Sequence, residues 1–178
     1  MDKKNIQGVT NINKPMKKIK IAVLFGGKSA EHEVSWHSAA NVVKALDPKR
    51  YEKTLVYIDK QGRWFLVSEK DFFQKLKMAW TGKQKINGQS VAMFPGENGQ
   101  LTILGDKIKK INMDVVFPAL HGTCGEDGTV QGLLKLANVP FVGPSVLGSA
   151  VGMDKEIMKR LFREAGIPIA NFLVFRRQ

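Results

Sequence analysis

The stretch LFGGKSAEHEVS, Leu24 to Ser35, places two glycines, a lysine and a serine after an apolar run, then two glutamates and a histidine. Its first half has the composition of a phosphate-binding loop. Its second half would repel a phosphate. A Walker A loop ending in Gly27-Lys28-Ser29 would need its first glycine at position 22, which is Ala22. The dinucleotide fingerprint fails too, because no further glycine follows Gly26-Gly27 before the next helix. What such a loop can hold is a zwitterion. Glu31 takes an ammonium group, and backbone N–H groups near Val34 to His37, at a helix start, take an anionic oxygen. On residue type alone, Glu31 and Glu33 can equally do no more than complement the helix dipole.

A second loop, HGTCGEDG from His121 to Gly128, favours a ligand. Gly122, Gly125 and Gly128 let the backbone turn tightly and approach a bound molecule. His121 ends an apolar run, and Glu126 is placed to orient a neighbouring side chain. Asp127 is placed to cap the helix that follows. Cys124 has no obvious base nearby except His121, which argues against a nucleophile. Lys155 falls in the first turn of a later helix, where it opposes the helix dipole and hints at an anionic partner.

The elements that must carry these loops read as strand–helix alternation. KIKIAVLF (Lys18 to Phe25) is a strand buried on both faces, and Trp36, Ala39, Ala40, Val43 and Leu46 form one face of a helix from about Ser35. YEKTLVYI (Tyr51 to Ile58) is the next strand, DKQG a turn, and RWFLV (Arg63 to Val67) its hairpin partner. A short helix is expected around Phe72 to Trp80, with short strands near Val91 to Phe94 and Leu101 to Leu104. MDVVFPAL (Met113 to Leu120) is a second buried strand, followed by a helix over Thr129 to Ala137 and a short strand VPFVG (Val139 to Gly143). PSVLGSAVG reads as a connector. Asp154 caps a helix through Ala165 that Gly166 stops, and IANFLVF (Ile169 to Phe175) reads as a strand with nothing after it to pair with. The class is α/β, with a doubly wound, mainly parallel sheet.

Composition fits one ordinary domain, or one and the start of another, in 178 residues. No apolar run is long enough to span a membrane, and one cysteine excludes an internal disulfide, which fits the cytoplasm. The formal charge of +12 invites a nucleic-acid reading, but the lysines and arginines are scattered and not interleaved with aromatic residues. Neither a nucleic acid nor a membrane is expected as a partner.

Three stretches together resemble the D-alanine–D-alanine ligases of the ATP-grasp superfamily: VLFGGKSAEHEVSWHSA (Val23 to Ala39), FPALHGTCGEDGTVQGLLKLANVPFVG (Phe117 to Gly143) and MDKEIMKRLFREAGIP (Met153 to Pro168). Residues 1–16, polar and without periodicity, read as a disordered tail outside the resemblance. The resemblance implies an N-terminal α/β domain over 17–143 with the first D-alanine subsite, and the opening of a central ATP-grasp domain over 144–178. It implies that ATP activates the carboxylate of one D-alanine as an acyl phosphate, which the amine of a second attacks, and that the dipeptide feeds peptidoglycan synthesis. Carried over by position, Glu31 holds the ammonium of the first D-alanine, and Val34 and Ser35 line that subsite. His121 stands beside the reacting carboxylate, Glu126 supports it, and Lys155 contacts ATP phosphates. The magnesium ligands would lie beyond residue 178, so the chain is expected not to catalyse ligation alone. The resemblance also implies a homodimer for the full-length enzyme, with D-alanine–D-lactate and D-alanine–D-serine ligases as rivals, and a stand-alone amino-acid-binding module as a further alternative.

Overall fold

The computed structural model describes residues 17–77 and 88–176. The expected tail over 1–16 and the end of the helix expected to reach Trp80 lie outside the described residues. Seven strands form one sheet: β1 (Ile19–Gly26), β2 (Tyr51–Ile58), β3 (Trp64–Val67), β4 (Gln89–Met93), β5 (Gln100–Ile103), β6 (Lys109–Asn112) and β7 (Val115–Pro118). Five helices accompany them: α1 (His32–Ala45), α2 (Glu69–Leu76), α3 (Thr129–Leu136), α4 (Val146–Met153) and α5 (Lys155–Glu164).

The strand order is β6-β5-β4-β3-β2-β1-β7. β1 pairs in parallel with β2 and with β7, through registers such as Val23 with Leu55 and with Phe117. From β2 to β6 every ladder is antiparallel, so β3 to β6 form a meander added to the parallel part. By direction, β1, β2, β4, β6 and β7 all run the same way.

β1 alternates between two cores because successive side chains of a strand leave on opposite faces. Ala22 and Leu24 pack toward α3 with Val56, Leu101, Val130 and Leu134. Val23 and Phe25 pack on the other side against Trp36, Ala39 and Val43 of α1 and Phe72 of α2. Phe25 meets Trp36 edge-on at 4.8 Å between ring centroids, and Trp36 stacks on Phe72 at 5.4 Å. Helices thus cover both faces, as the doubly wound expectation requires. Only Met113 and Asp114 separate β6 from β7, although these strands stand at opposite ends of the order. Three residue steps reach roughly 10 Å, so the edges are drawn together and the sheet curls around α3. Met113 N donates to Gly99 O at 2.9 Å and Asp114 N to Lys20 O at 2.8 Å, which fastens the closure.

Several expectations are corrected. The first helix starts at His32, three residues before Ser35. VPFVG is not a strand but a single bridge, Val116 with Phe141, because Pro140 lacks an N–H and Gly143 turns the chain away at φ +132°. PSVLGSAVG is not a plain connector: Ser145 accepts from Gly148 N and caps α4. IANFLVF forms no strand, and Leu173 and Phe175 are exposed. β6 has no counterpart among the expected strands. Asp154 does cap α5, accepting from Glu156 N and Ile157 N.

Candidate functional site

The crevice lies where β1 and β7 end and the loops after them meet. β1 ends at Gly26 because the backbone there has φ +88°, and a Cβ would sit 2.3 Å from Ile58 O. His32, buried, pins the turn: its Nδ1 lies 2.7 Å from Gly27 O, and Nε2 lies 3.3 Å from Tyr57 Oη. A carbonyl oxygen only accepts, so Nδ1 carries the proton and Nε2 accepts from Tyr57. Burial pushes the Tyr57 hydroxyl up to about 12. Glu33 is engaged by Lys60 at 2.7 Å, whose hydrogen bond holds its carboxyl below the usual range. Glu31 stands at the N-cap of α1, exposed, and its side chain makes no capping bond.

The opposite wall is the loop leaving β7. Gly122, at φ +68°, lies so close that a Cβ there would meet Glu31 Oε2 at 2.8 Å and Ser29 Oγ at 2.6 Å. Glu31 therefore lies against the loop that leaves β7, at the residue next to His121, ninety residues further along the sequence. His121 is partly exposed. Its Nδ1 stands 3.6 Å from Glu126 Oε1 and its Nε2 2.7 Å from Ser38 Oγ. Glu126 also accepts from Gly122 N through Oε2 at 2.9 Å, so one carboxylate braces both backbone and ring. Asp127 accepts from Cys124 N at 2.9 Å and from Thr129 N, the first amide of α3, at 3.0 Å, while the N-cap position itself is Gly128. Burial works against its charge, but these bonds and that to the Thr129 side chain win and hold its carboxyl below the usual range. A hollow of about 180 Å³ beside the ring is lined by Gly27, Trp64, Leu120, His121 and Cys124.

The structure pairs His121 with Glu126 and places Glu31 against Gly122 of the same loop, and it sets Val34 exposed on the first turn of α1. It removes Ser35 from the crevice. That side chain is fully buried, and Oγ donates to Ala119 O at 2.5 Å while accepting from Gly26 N at 2.8 Å. The hydroxyl is spent on fastening β1 to the segment after β7. Ser35 N is also committed, to Glu31 O at 3.1 Å. With α1 beginning at His32, the first-turn amides without a partner inside the helix are those of His32 to Val34 and not those of Val34 to His37.

Lys155 opens α5, and its Nζ donates to Gly152 O at 2.7 Å, a neutral carbonyl. It rims a cavity of about 360 Å³ that also touches Glu126, Gln131, Gly148 and Ser149. Gln131 Oε1 and Ser149 Oγ are buried there without a partner. Among the described residues no group of three or more His, Cys, Asp or Glu side chains is arranged to hold a metal ion. No helix among them is long and apolar enough to cross a membrane.

Ser38 is the site residue that sequence reasoning missed. The available signal was the spacing of Glu31, Ser35 and Ser38, a polar stripe at i, i+4 and i+7 beside the apolar face of α1.

Residues 20–144 match the family model described as D-ala D-ala ligase N-terminus. The D-alanine–D-alanine ligase A of Chromobacterium violaceum is 45% identical over 163 residues, covering 91% of this chain and 44% of that protein. The D-alanine-D-alanine ligase of Coxiella burnetii superposes with a TM-score of 0.76 at 37% identity, over 86% of this chain and 43% of that one. The VanG D-Ala:D-Ser ligase of Enterococcus faecalis superposes with a TM-score of 0.75 at 34% identity, over 87% and 44%. The chain thus spans about 44% of the length of the curated relatives it matches.

Proposed function

The chain belongs to the D-ala D-ala ligase family, matching the model of its N-terminus, and from that membership we propose that it supplies the first D-alanine subsite of an ATP-dependent ligase. The observation that carries the reading is the approach of the Glu31 carboxylate to Gly122, the residue that follows His121 in the loop after β7. An anionic carboxylate and an imidazole, set beside the open amides of a helix start, suit the two ends of one amino acid.

In this reading Glu31 holds the ammonium of the first D-alanine, and the amides of His32 to Val34 with His121 face its carboxylate. Val34 forms part of the wall, and Ser35 acts from behind by holding Gly26 and Ala119 in place. ATP, when bound, supplies the phosphoryl group that activates this carboxylate as an acyl phosphate for attack by the amine of a second D-alanine. Lys155 suits its phosphates, since its ammonium is exposed and bonded to a carbonyl instead of an acid. Magnesium is assigned no ligand among the described residues. Residues 17–143 form the N-terminal domain and 144–178 open the ATP-grasp domain, a division supported by the family match ending at residue 144. We assign no complete ligation to these 178 residues by themselves. A homodimer of the whole enzyme, its place in peptidoglycan synthesis and a cytoplasmic location belong to the same proposal.

The likeness to a D-Ala:D-Ser ligase keeps a second reading, in which the second substrate is D-serine. Both readings share the first subsite. The test is Glu31→Gln in the proposed ligase: KM for the first D-alanine rises tenfold or more while KM for ATP moves less than twofold. An unchanged D-alanine KM would remove Glu31 from its role.

A further inference from the structure

Three polar side chains lie on one stripe of α1, and each meets the chain leaving β7 at a different point. Ser35 Oγ reaches Ala119 O, Ser38 Oγ reaches His121 Nε2, and Glu31 lies against Gly122. Ser35 secures the backbone and Glu31 has an assigned ligand. Ser38 has neither task.

A hydroxyl inside a helix commonly points to solvent or turns back to the carbonyl four residues before it. Ser38 instead spans 83 residues of sequence to a ring nitrogen, at 2.7 Å. On the far side of the ring, Nδ1 faces Glu126 Oε1 at 3.6 Å. An ionised carboxylate can only accept, so a bare lone pair on Nδ1 would face negative charge. The neutral ring therefore carries its proton on Nδ1, and Nε2 accepts from the Ser38 hydroxyl.

We propose that Ser38 is the positioning residue of His121, its hydroxyl fixing the ring's tautomer and plane together with Glu126 at the opposite nitrogen. Because Ser38 acts from α1, the helix whose start carries Glu31, the ammonium-holding and carboxylate-facing parts of the subsite are set by one rigid element. The state of the ring stands on geometry alone. Its consequence for D-alanine rests on the function proposed above.

Long-range 1H–15N NMR of the labelled 178-residue chain reads the tautomer directly, and only three histidines contribute. At a pH where imidazoles are neutral, His121 shows the Nδ1–H form. Ser38→Ala lowers the ratio of Nδ1–H to Nε2–H about fivefold, the equivalent of ~1 kcal/mol for one neutral hydrogen bond. Ser38→Thr, which keeps the hydroxyl, restores it. A wild-type ring protonated on Nε2 overturns the proposal before any variant is needed, and so does an unchanged ratio in a folded Ser38→Ala. D-alanine added to the same samples reads the other half. Movement of the His121 signals, smaller in Ser38→Ala, supports the coupling to substrate. No movement in either sample overturns that coupling and the functional reading, while the tautomer ratios still decide the role of Ser38.

Discussion

Gly122→Ala is the most discriminating substitution the crevice offers. The added Cβ would stand 2.6 Å from Ser29 Oγ and 2.8 Å from Glu31 Oε2, and ordinary contact begins at 3.4 Å. The Glu31 carboxylate is the free end of a flexible side chain, so it moves instead of the backbone, by about 0.6 Å or more. Alanine at φ +68° also carries a left-handed backbone cost of about 1–2 kcal/mol. For a chain of this size that lowers Tm by roughly 2–8 °C. Gly166→Ala supplies the matched control, since Gly166 has φ +71° with nothing within 4 Å. Both variants lose similar stability, but only Gly122→Ala loses D-alanine. A charge-assisted hydrogen bond is worth about 1.5–3 kcal/mol, so losing it raises the D-alanine KM by roughly 10- to 100-fold. Steady-state ligation with D-alanine and ATP varied separately reads this, ATP moving less than twofold. A Gly122→Ala enzyme with the parent's D-alanine KM would refute the reasoning, because the carboxylate would then not matter where the structure places it.

Lys155→Ala should weaken ATP severalfold or more and spare D-alanine; the same two-substrate kinetics check it, and a D-alanine effect alone would contradict the placement of α5. Ser35→Ala leaves the amide of Gly26 and the carbonyl of Ala119 buried without their shared partner, which costs about 2–4 kcal/mol by chemical denaturation. Tyr57 titrates at about 12 when folded and about 10 when unfolded. Its neutral form is the folded one, so its contribution is intact below pH 10 and is lost as pH rises toward about 12. That amounts to at most about 2–3 kcal/mol, and Tyr57→Phe should remove this alkaline loss from a pH series of denaturation curves.

The parallel part of the fold was legible because its strands are buried on both faces and write continuous apolar runs, as in β1 and Tyr51–Ile58. The caps of α5 were legible because Asp154 and Gly166 have local jobs. β6 was not, since KKIN is short, polar and an edge, held by its pairing to β5 and by the curl. α4 hid behind small residues and glycines, and only the cap by Ser145 and its packing beside α3 make it a helix. IANFLVF has strand composition without a ladder to join among the described residues, and composition alone does not make a strand. Around the crevice, Glu31, His121 and Glu126 stand out in sequence as acids and a histidine in the glycine-bearing loops after β1 and β7, although residue type alone leaves Glu31 an equally good task in complementing the helix dipole. Ser35 was misplaced and Ser38 missed for one reason: a serine in a helix looks the same in sequence whether it faces solvent, core or a neighbouring loop.

The measurement closest to the central claim is an experimental structure of the proposed ligase with D-alanine bound. The account predicts the ammonium group on the Glu31 carboxylate and the carboxylate facing His121. D-alanine held elsewhere, with Glu31 turned to solvent, would contradict it.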